Sequence, residues 1–250
     1  MREVKLSKEW LLELYSKKLM SSTKIAKICH LSHRTVINYL RRYGIPIRPS
    51  GSIPRSKNPP PNNQVERAYM LGLCASDVYV GRHWRQIRVQ LGTSIREMVE
   101  VFKDTWKSYS TICVYPVKNK FSASVVTCIS LLHPNFSFLL NAKEALPDNP
   151  TAFYAYLAGA VDGDGSIRLG PQKYGGSIRL HNTDRIWLEK IKIKLESLGF
   201  YPTIHGKNGY FTLHVGKKQD VLRLGHTLTK FMKHELKIKK LENLLKLVLR

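Results

Sequence analysis

The chain carries one ten-residue pattern twice, 87 positions apart, and each copy ends in an aspartate. The first copy reads Ala68-Tyr69-Met70-Leu71-Gly72-Leu73-Cys74-Ala75-Ser76-Asp77 and the second Ala155-Tyr156-Leu157-Ala158-Gly159-Ala160-Val161-Asp162-Gly163-Asp164. Ala, Tyr, Gly and Asp recur at matching offsets, so the chain is expected to fold into two similar halves. Ala68, Gly72 and Ser76 stand four apart, as do Ala155, Gly159 and Gly163. That spacing puts each trio on one face of a helix. Such a stripe lets two helix backbones approach closely, a rule established mainly for membrane helices. Each helix is the natural partner of the other, and side-by-side packing would bring Asp77 and Asp164 together at one end. A carboxylate near a helix C-terminus opposes the macrodipole, and a second one beside it adds repulsion. Divalent cations would offset both costs, and Mg²⁺ favours one or two carboxylates plus phosphate oxygens and water.

The charge balance says what faces such a site. Lys and Arg number 41 against 18 Asp and Glu, a net of +23, in 250 residues. That excess favours a polyanion, with nucleic acid ahead of an anionic membrane surface. No apolar run approaches the ~20 residues of a membrane span, so no membrane partner is expected. Met1-Arg2-Glu3-Val4 precedes no apolar signal region. Cys29, Cys74, Cys113 and Cys128 form no close pair, which argues against metal-ligand spacing or a disulfide framework. Reduced thiols in an intracellular, reducing compartment are expected, whether cytoplasm, nucleoid or organelle.

Four segments follow from composition. Residues 49–63 are rich in Pro, Ser and Asn and include Pro59-Pro60-Pro61, a semi-stiff linker. Before it, residues 1–48 read as three helices. Ser7 caps the first, with Trp10, Leu11, Leu14 and Tyr15 as its apolar stripe. Ser22 or Thr23 opens the second, Ser32 caps the third, and Gly44 ends it. Two short helices joined by a tight turn resemble a helix-turn-helix. The third would present His33, Arg34, Asn38 and Arg41, and Arg and Asn suit guanine and adenine edges in the major groove. Residues 64–148 and 149–250 form the two halves.

Each half repeats helix, two strands, helix, two strands and closing helices, an α+β unit with helices covering one sheet face. In the first, strands are expected at 78–80, 85–91, 112–117 and 122–129, with a helix after Ser94. In the second they fall at 166–169, 177–181, 203–205 and 210–215, with a helix after Asp184 and a basic helical end from Val221. Arg82, Arg85, Arg88, Arg168, Lys173, Arg179, His181 and His214 are candidates for the outward sheet faces that would read a target.

The segment Leu157-Ala158-Gly159-Ala160-Val161-Asp162-Gly163-Asp164-Gly165 closely resembles the signature of LAGLIDADG homing endonucleases, and Met70 to Val78 resembles a degenerate first copy. The resemblance covers residues 64–250, in the monomeric two-motif form. It implies two pseudo-symmetric αββαββα halves forming a DNA-binding saddle. It also implies that Asp77 and Asp164 bind the catalytic metals, with Ser76 and Gly163 beside them. Two or three Mg²⁺ ions would be shared, with Mn²⁺ as a substitute, and the cuts would fall across a minor groove. The first copy departs from the pattern at Ala75, Ser76 and Val78, yet keeps the metal-binding acid; Asp162 reads as structural. The family's basic residue near each cut corresponds to Lys237. The first half has no Lys in 131–140, leaving Lys118 or Lys120, and Asn182 is a candidate for orienting a water.

The expected function is a Mg²⁺-dependent, site-specific double-strand DNA endonuclease, free-standing or intron-encoded. Hydrolysis would leave 5′-phosphate and 3′-hydroxyl ends on a target of roughly 20 bp or more. Two alternatives share the fold. One is an RNA-binding intron maturase, with the host intron RNA as partner; the other is a non-cleaving transcription regulator that works through its helix-turn-helix. Retention of both acids favours the nuclease.

Overall fold

A computed structural model describes residues 6–18, 20–47, 58–84, 86–117, 125–170, 176–207 and 209–249, apart from the Lys207 side chain. Arg85, Lys118, Lys120 and Lys173 lie outside the described residues, as does most of the linker. The chain divides into two compact units, Met1–Pro54 and Arg55–Arg250.

The first unit is helical. Its α1 (Lys8–Leu11) runs on as a π-helical turn, Leu12–Lys17, followed by α2 (Ser22–Ile28) and α3 (His33–Arg42). Ser7, Ser21 and Ser32 each accept a hydrogen bond from the backbone N–H three residues on, satisfying a donor that the helix start leaves free. Ser22, one of the two expected starts, opens α2, and Ser21 before it supplies the cap. Leu11, Tyr15, Ile25, Val36 and Leu40 fill a small separate core. Gly44, at φ +64°, takes the left-handed conformation that ends α3.

The second unit runs α4 (Gln64–Ala75), β1 (Tyr79–His83), β2 (Gln86–Thr93), α5 (Arg96–Trp106), β3 (Ile112–Pro116), β4 (Val126–Leu132) and a 3₁₀ helix, Pro134–Asn141. The same order then repeats as α6 (Pro150–Asp164), β5 (Gly165–Leu169), β6 (Gly176–Asn182), α7 (Arg185–Ser197), β7 (Thr203–Lys207) and β8 (Tyr210–Val215). It ends in α8 (Lys218–Leu228) and α9 (Glu235–Leu249). Two antiparallel sheets result, ordered β1-β2-β4-β3 and β5-β6-β8-β7, one topology used twice. The α+β class and the pseudo-symmetric halves are those expected from the duplication.

α5 follows Ser94 as expected; Ile95 holds the cap position without a side-chain bond, and the Thr93 hydroxyl accepts from the Ile95 N–H. One local expectation changes. The fourth strand begins at Val126 and runs to Leu132, because its alternation buries Cys128, Ser130 and Leu132 on the side where α5 packs.

α4 and α6 pack against each other through their glycines. A Cβ on Gly72 would lie 1.8 Å from the Tyr156 carbonyl oxygen, and one on Gly159 would lie 2.2 Å from that of Tyr69. The contact is reciprocal, as a pseudo-two-fold axis requires, and it fixes where the two helices end. Asn149 caps α6 by accepting from the N–H groups of Thr151 and Ala152, with Pro150 in the first turn.

Candidate active site and nucleic-acid interface

Asp77 follows the C-terminus of α4 and Asp164 is the last residue of α6, so the helix contact sets their carboxyl groups within hydrogen-bonding reach of each other. Burial among neighbouring protein atoms raises the Asp77 pKa to about 6, and the charge and hydrogen bond of Asp164 push the same way. Lys237 and His234 pull it down. The Asp77 residue is nonetheless exposed by surface area, so solvent screens it and the shift does not translate into stability. Two hard oxygen donors facing each other at an accessible edge are the donor set that a small divalent cation takes. The residues present therefore fit Mg²⁺.

The sign of the pH effect follows. A divalent cation held by Asp77 would need its carboxylate, and protons would compete for it below about pH 6. The Mg²⁺ concentration for half-saturation should be nearly flat from pH 7 to 8. It should rise roughly tenfold per unit once the pH falls below the Asp77 value. Isothermal titration at pH 5, 6, 7 and 8 checks this, and a flat profile down to pH 5 would count against it.

Asn182, at the end of β6, positions Asp164. Its amide donates to Asp164 Oδ2 at 2.7 Å, and its carbonyl oxygen accepts from Lys143 Nζ at 3.1 Å and from the Asp184 N–H at 2.9 Å. Lys143 belongs to the first half and also pairs with Asp184 at 3.3 Å. Sequence spacing gave no sign of Lys143, because its partner lies 39 residues away across the junction. Asn182 thus holds a carboxylate in this geometry, where the sequence suggested a water.

Lys237 sits over the end of α6. Its Nζ donates to the carbonyls of Val161, Asp162 and Gly163 at 2.9, 2.7 and 2.7 Å. These are carbonyls of the last turn, and a cation there complements the macrodipole. Burial pulls the Lys237 pKa down, while Asp162, Asp77 and Asp164 pull it back up. Gly163 lends its carbonyl to this cap, and its α-carbon lies against Ser76. Ser76 turns its hydroxyl back to the carbonyls of Gly72 and Leu73, both at 3.1 Å. Replacing Lys237 with Met should lower stability by about 1.5–3 kcal/mol, the range for hydrogen bonds to a charged group. Urea unfolding measures it, and an unchanged midpoint would remove the capping role.

Asp162 is fully buried. Its Oδ2 accepts from Tyr69 Oη and the Lys233 N–H, both at 2.7 Å, and from the His234 N–H at 3.3 Å. It thereby ties α4 to the segment entering α9. The other half has Ala75 here, and Tyr156 Oη instead donates to the Ala142 carbonyl and accepts from Trp187 Nε1.

Residues 154–239 match the LAGLIDADG-like domain. Among solved structures, the homing endonuclease I-WcaI bound to its DNA recognition sequence is similar at TM-score 0.53 and 14% identity, covering 70% of this chain and 86% of that one. I-DmoI in complex with DNA and Ca is similar at TM-score 0.52 and 18% identity, covering 72% and 98%. At such identities the likeness speaks for the fold. No curated protein matches.

In this LAGLIDADG fold, register decides which residues share a sheet face, because directly paired residues point the same way. Arg168 pairs with Ser177, and Arg179 pairs with both Ser166 and His214. His181 is two residues on from Arg179, so all four predicted residues share the face turned away from the helices. His181 is held there by Ser166 Oγ on Nε2 and Thr212 Oγ1 on Nδ1, each at 2.8 Å. In the first half, Arg88 pairs with Gly81 on the equivalent face. Arg82 pairs with the buried Ile87, so it lies on the opposite face and is not a neighbour of Arg88. A single-residue register difference reverses every side chain, and the sequence left that register open. In the first unit Arg34, Asn38 and Arg41 are all exposed on α3.

Proposed function

We propose that the chain is a site-specific endonuclease acting on double-stranded DNA. The observation that carries this reading is the contact of Asp77 with Asp164 at the ends of two packed helices, in a protein of net charge +23. Asp77 and Asp164 would hold Mg²⁺, with Mn²⁺ as a substitute, and the bound metal supplies Lewis acidity and a water of lowered pKa. The remaining work falls to the chain itself. Asn182 and Lys143 fix the direction of the Asp164 carboxylate, Lys237 braces the end of α6, and the sheets position the duplex. The first-half cut has no described basic residue of its own.

The solved relatives support DNA as the partner, since both are complexes with DNA. A duplex of roughly 20 bp would span the two sheets, and α3 of the first unit would add contacts through Arg34, Asn38 and Arg41. A monomer suffices, because the duplication supplies the two-fold relation internally. The setting would be a reducing intracellular compartment.

The test is cleavage of a pooled host-derived or random-insert DNA library by the full-length protein, with Mg²⁺ and with EDTA. Metal-dependent double-strand breaks with 5′-phosphate ends at one recurring sequence are expected. Binding without any break would overturn the nuclease in favour of a regulator. Binding confined to intron RNA would favour a maturase.

A further inference from the structure

Along two rows the sheets present different chemistries at equivalent positions, while the row of Gly81 and Arg88 keeps an arginine as that of Arg168 and Ser177 does. Counting from the motif acids, Tyr79 corresponds to Ser166, and pairing then carries the equivalence across each sheet. The first row runs Tyr79, Gln90, Ile129, Cys113. Its counterpart runs Ser166, Arg179, His214, Thr203. One row on, Gly92, Thr127 and Tyr115 stand opposite His181, Thr212 and His205. An arginine and three histidines in one half are thus replaced by glutamine, isoleucine, glycine and tyrosine in the other.

Ile129, Leu131, Cys113 and Tyr115 form the apolar part of an open recess of about 600 Å³ on this face, whose remaining lining is His83, Arg88 and Thr111. Arg88 donates through Nη2 to Gln90 Oε1 at 2.6 Å, and its buried Nε has no partner among the described residues. A half-buried aliphatic row is costly to leave in water. It is equally poor at reading hydrogen-bonding edges. The thymine C5-methyl is the apolar group that a major groove offers, and apolar side chains are its usual partners. The charge of the protein selects a polyanion over an apolar protein surface as the occupant.

Resting on the DNA-cleaving reading above, the geometry points to a target read by two chemistries. The half bound by residues 64–148 is recognised through thymine methyl groups seated on Ile129, Leu131 and Tyr115. The half bound by residues 149–250 is recognised through hydrogen bonds from Arg168, Arg179 and His214.

The experiment uses the full-length protein and its selected duplex. Arg179→Ala, by relaxing selection on one side, assigns each half-site to its sheet. Thymines are then replaced by deoxyuridine in one half-site at a time, which removes the methyl and keeps every hydrogen-bonding edge. Affinity should fall roughly fourfold per methyl in the first half-site, the value of one buried methyl group. It should change less than twofold in the second. Ile129→Ala should abolish the deoxyuridine penalty in the first half-site. Equal affinity for both duplexes, a penalty confined to the second half-site, or a first half-site selected without thymine would overturn the methyl readout while leaving DNA binding intact. Failure to bind any duplex would overturn both readings.

Discussion

Asp77→Asn and Asp164→Asn are each expected to abolish cleavage of both strands while leaving DNA binding within about twofold of wild type. The reason lies in the contact between the two carboxyl groups. If each acid served its own metal and its own strand, removing one would leave an enzyme that nicks the other strand. Here the acids lie within hydrogen-bonding reach, so a cation at the junction would draw on both, and losing either carboxylate would disturb the whole donor set. Metal stabilisation of a phosphoryl transition state is worth several kcal/mol, and each 1.36 kcal/mol is tenfold in rate. The loss should therefore reach about a thousandfold or more on each strand. Binding should survive because the sheet faces are untouched, and removing a negative charge at the DNA surface favours the complex slightly. Strand-specific end labels on a supercoiled and a linear substrate separate the cases. A clean nickase from either variant would show that the two sites work independently.

The sequence showed the site better than its surroundings, for a physical reason. Tyr69, Gly72 and Asp77 recur at fixed offsets with Tyr156, Gly159 and Asp164, and a helix-helix contact at that period leaves no freedom about which ends meet. The pairing of Asp77 with Asp164 was thus legible from spacing alone. Lys143 was not, because it acts across the junction through Asn182 and lies on no repeat. The role of Lys237 was half legible. Its place near the acids followed from the resemblance, but its three bonds to the end of α6 depend on the angle of α9, which no local pattern encodes. The reading faces were the least legible. Basic residues are spread along β1 and β2, and only the pairing of Arg82 with Ile87 shows that Arg82 faces away from Arg88. The apolar face of the first sheet stayed hidden for the same reason. Ile129 and Leu131 look like core until the register places Cys128, Ser130 and Leu132 inside.

Gly159→Ala should cost far more stability than a single added methyl usually does. In an ordinary helix the substitution would help, since alanine is favoured over glycine by about 1 kcal/mol. At this position the new Cβ would stand 2.2 Å from the Tyr69 carbonyl oxygen and 2.9 Å from the Leu73 nitrogen. Both are backbone atoms of α4, so no rotamer change relieves the clash. The helices must separate by about an ångström, which thins the packing of the whole core between the halves and draws Asp77 from Asp164. Overpacking of side chains costs 1–3 kcal/mol. Against backbone the figure should exceed about 3 kcal/mol, large enough to threaten folding outright. Gly72→Ala should behave alike, since its Cβ meets the Tyr156 carbonyl at 1.8 Å. The double variant should cost well under the sum of the two, because helices already pushed apart by one methyl accommodate the second. Gly163→Ala should be milder, as its closest contact is the Ser76 hydroxyl at 2.2 Å, which can rotate, and the nearest backbone atom, the Asp77 nitrogen, stands at 3.2 Å; Ser76 Cβ at 2.9 Å keeps it from being neutral. Gly92→Ala, with nothing within 4 Å, should stay within about 0.5 kcal/mol of wild type. Urea unfolding of the four single variants and the double decides the matter. If Gly159→Ala proves neutral or stabilising, the two motif helices do not touch through their backbones, and the geometry that joins Asp77 to Asp164 falls with them.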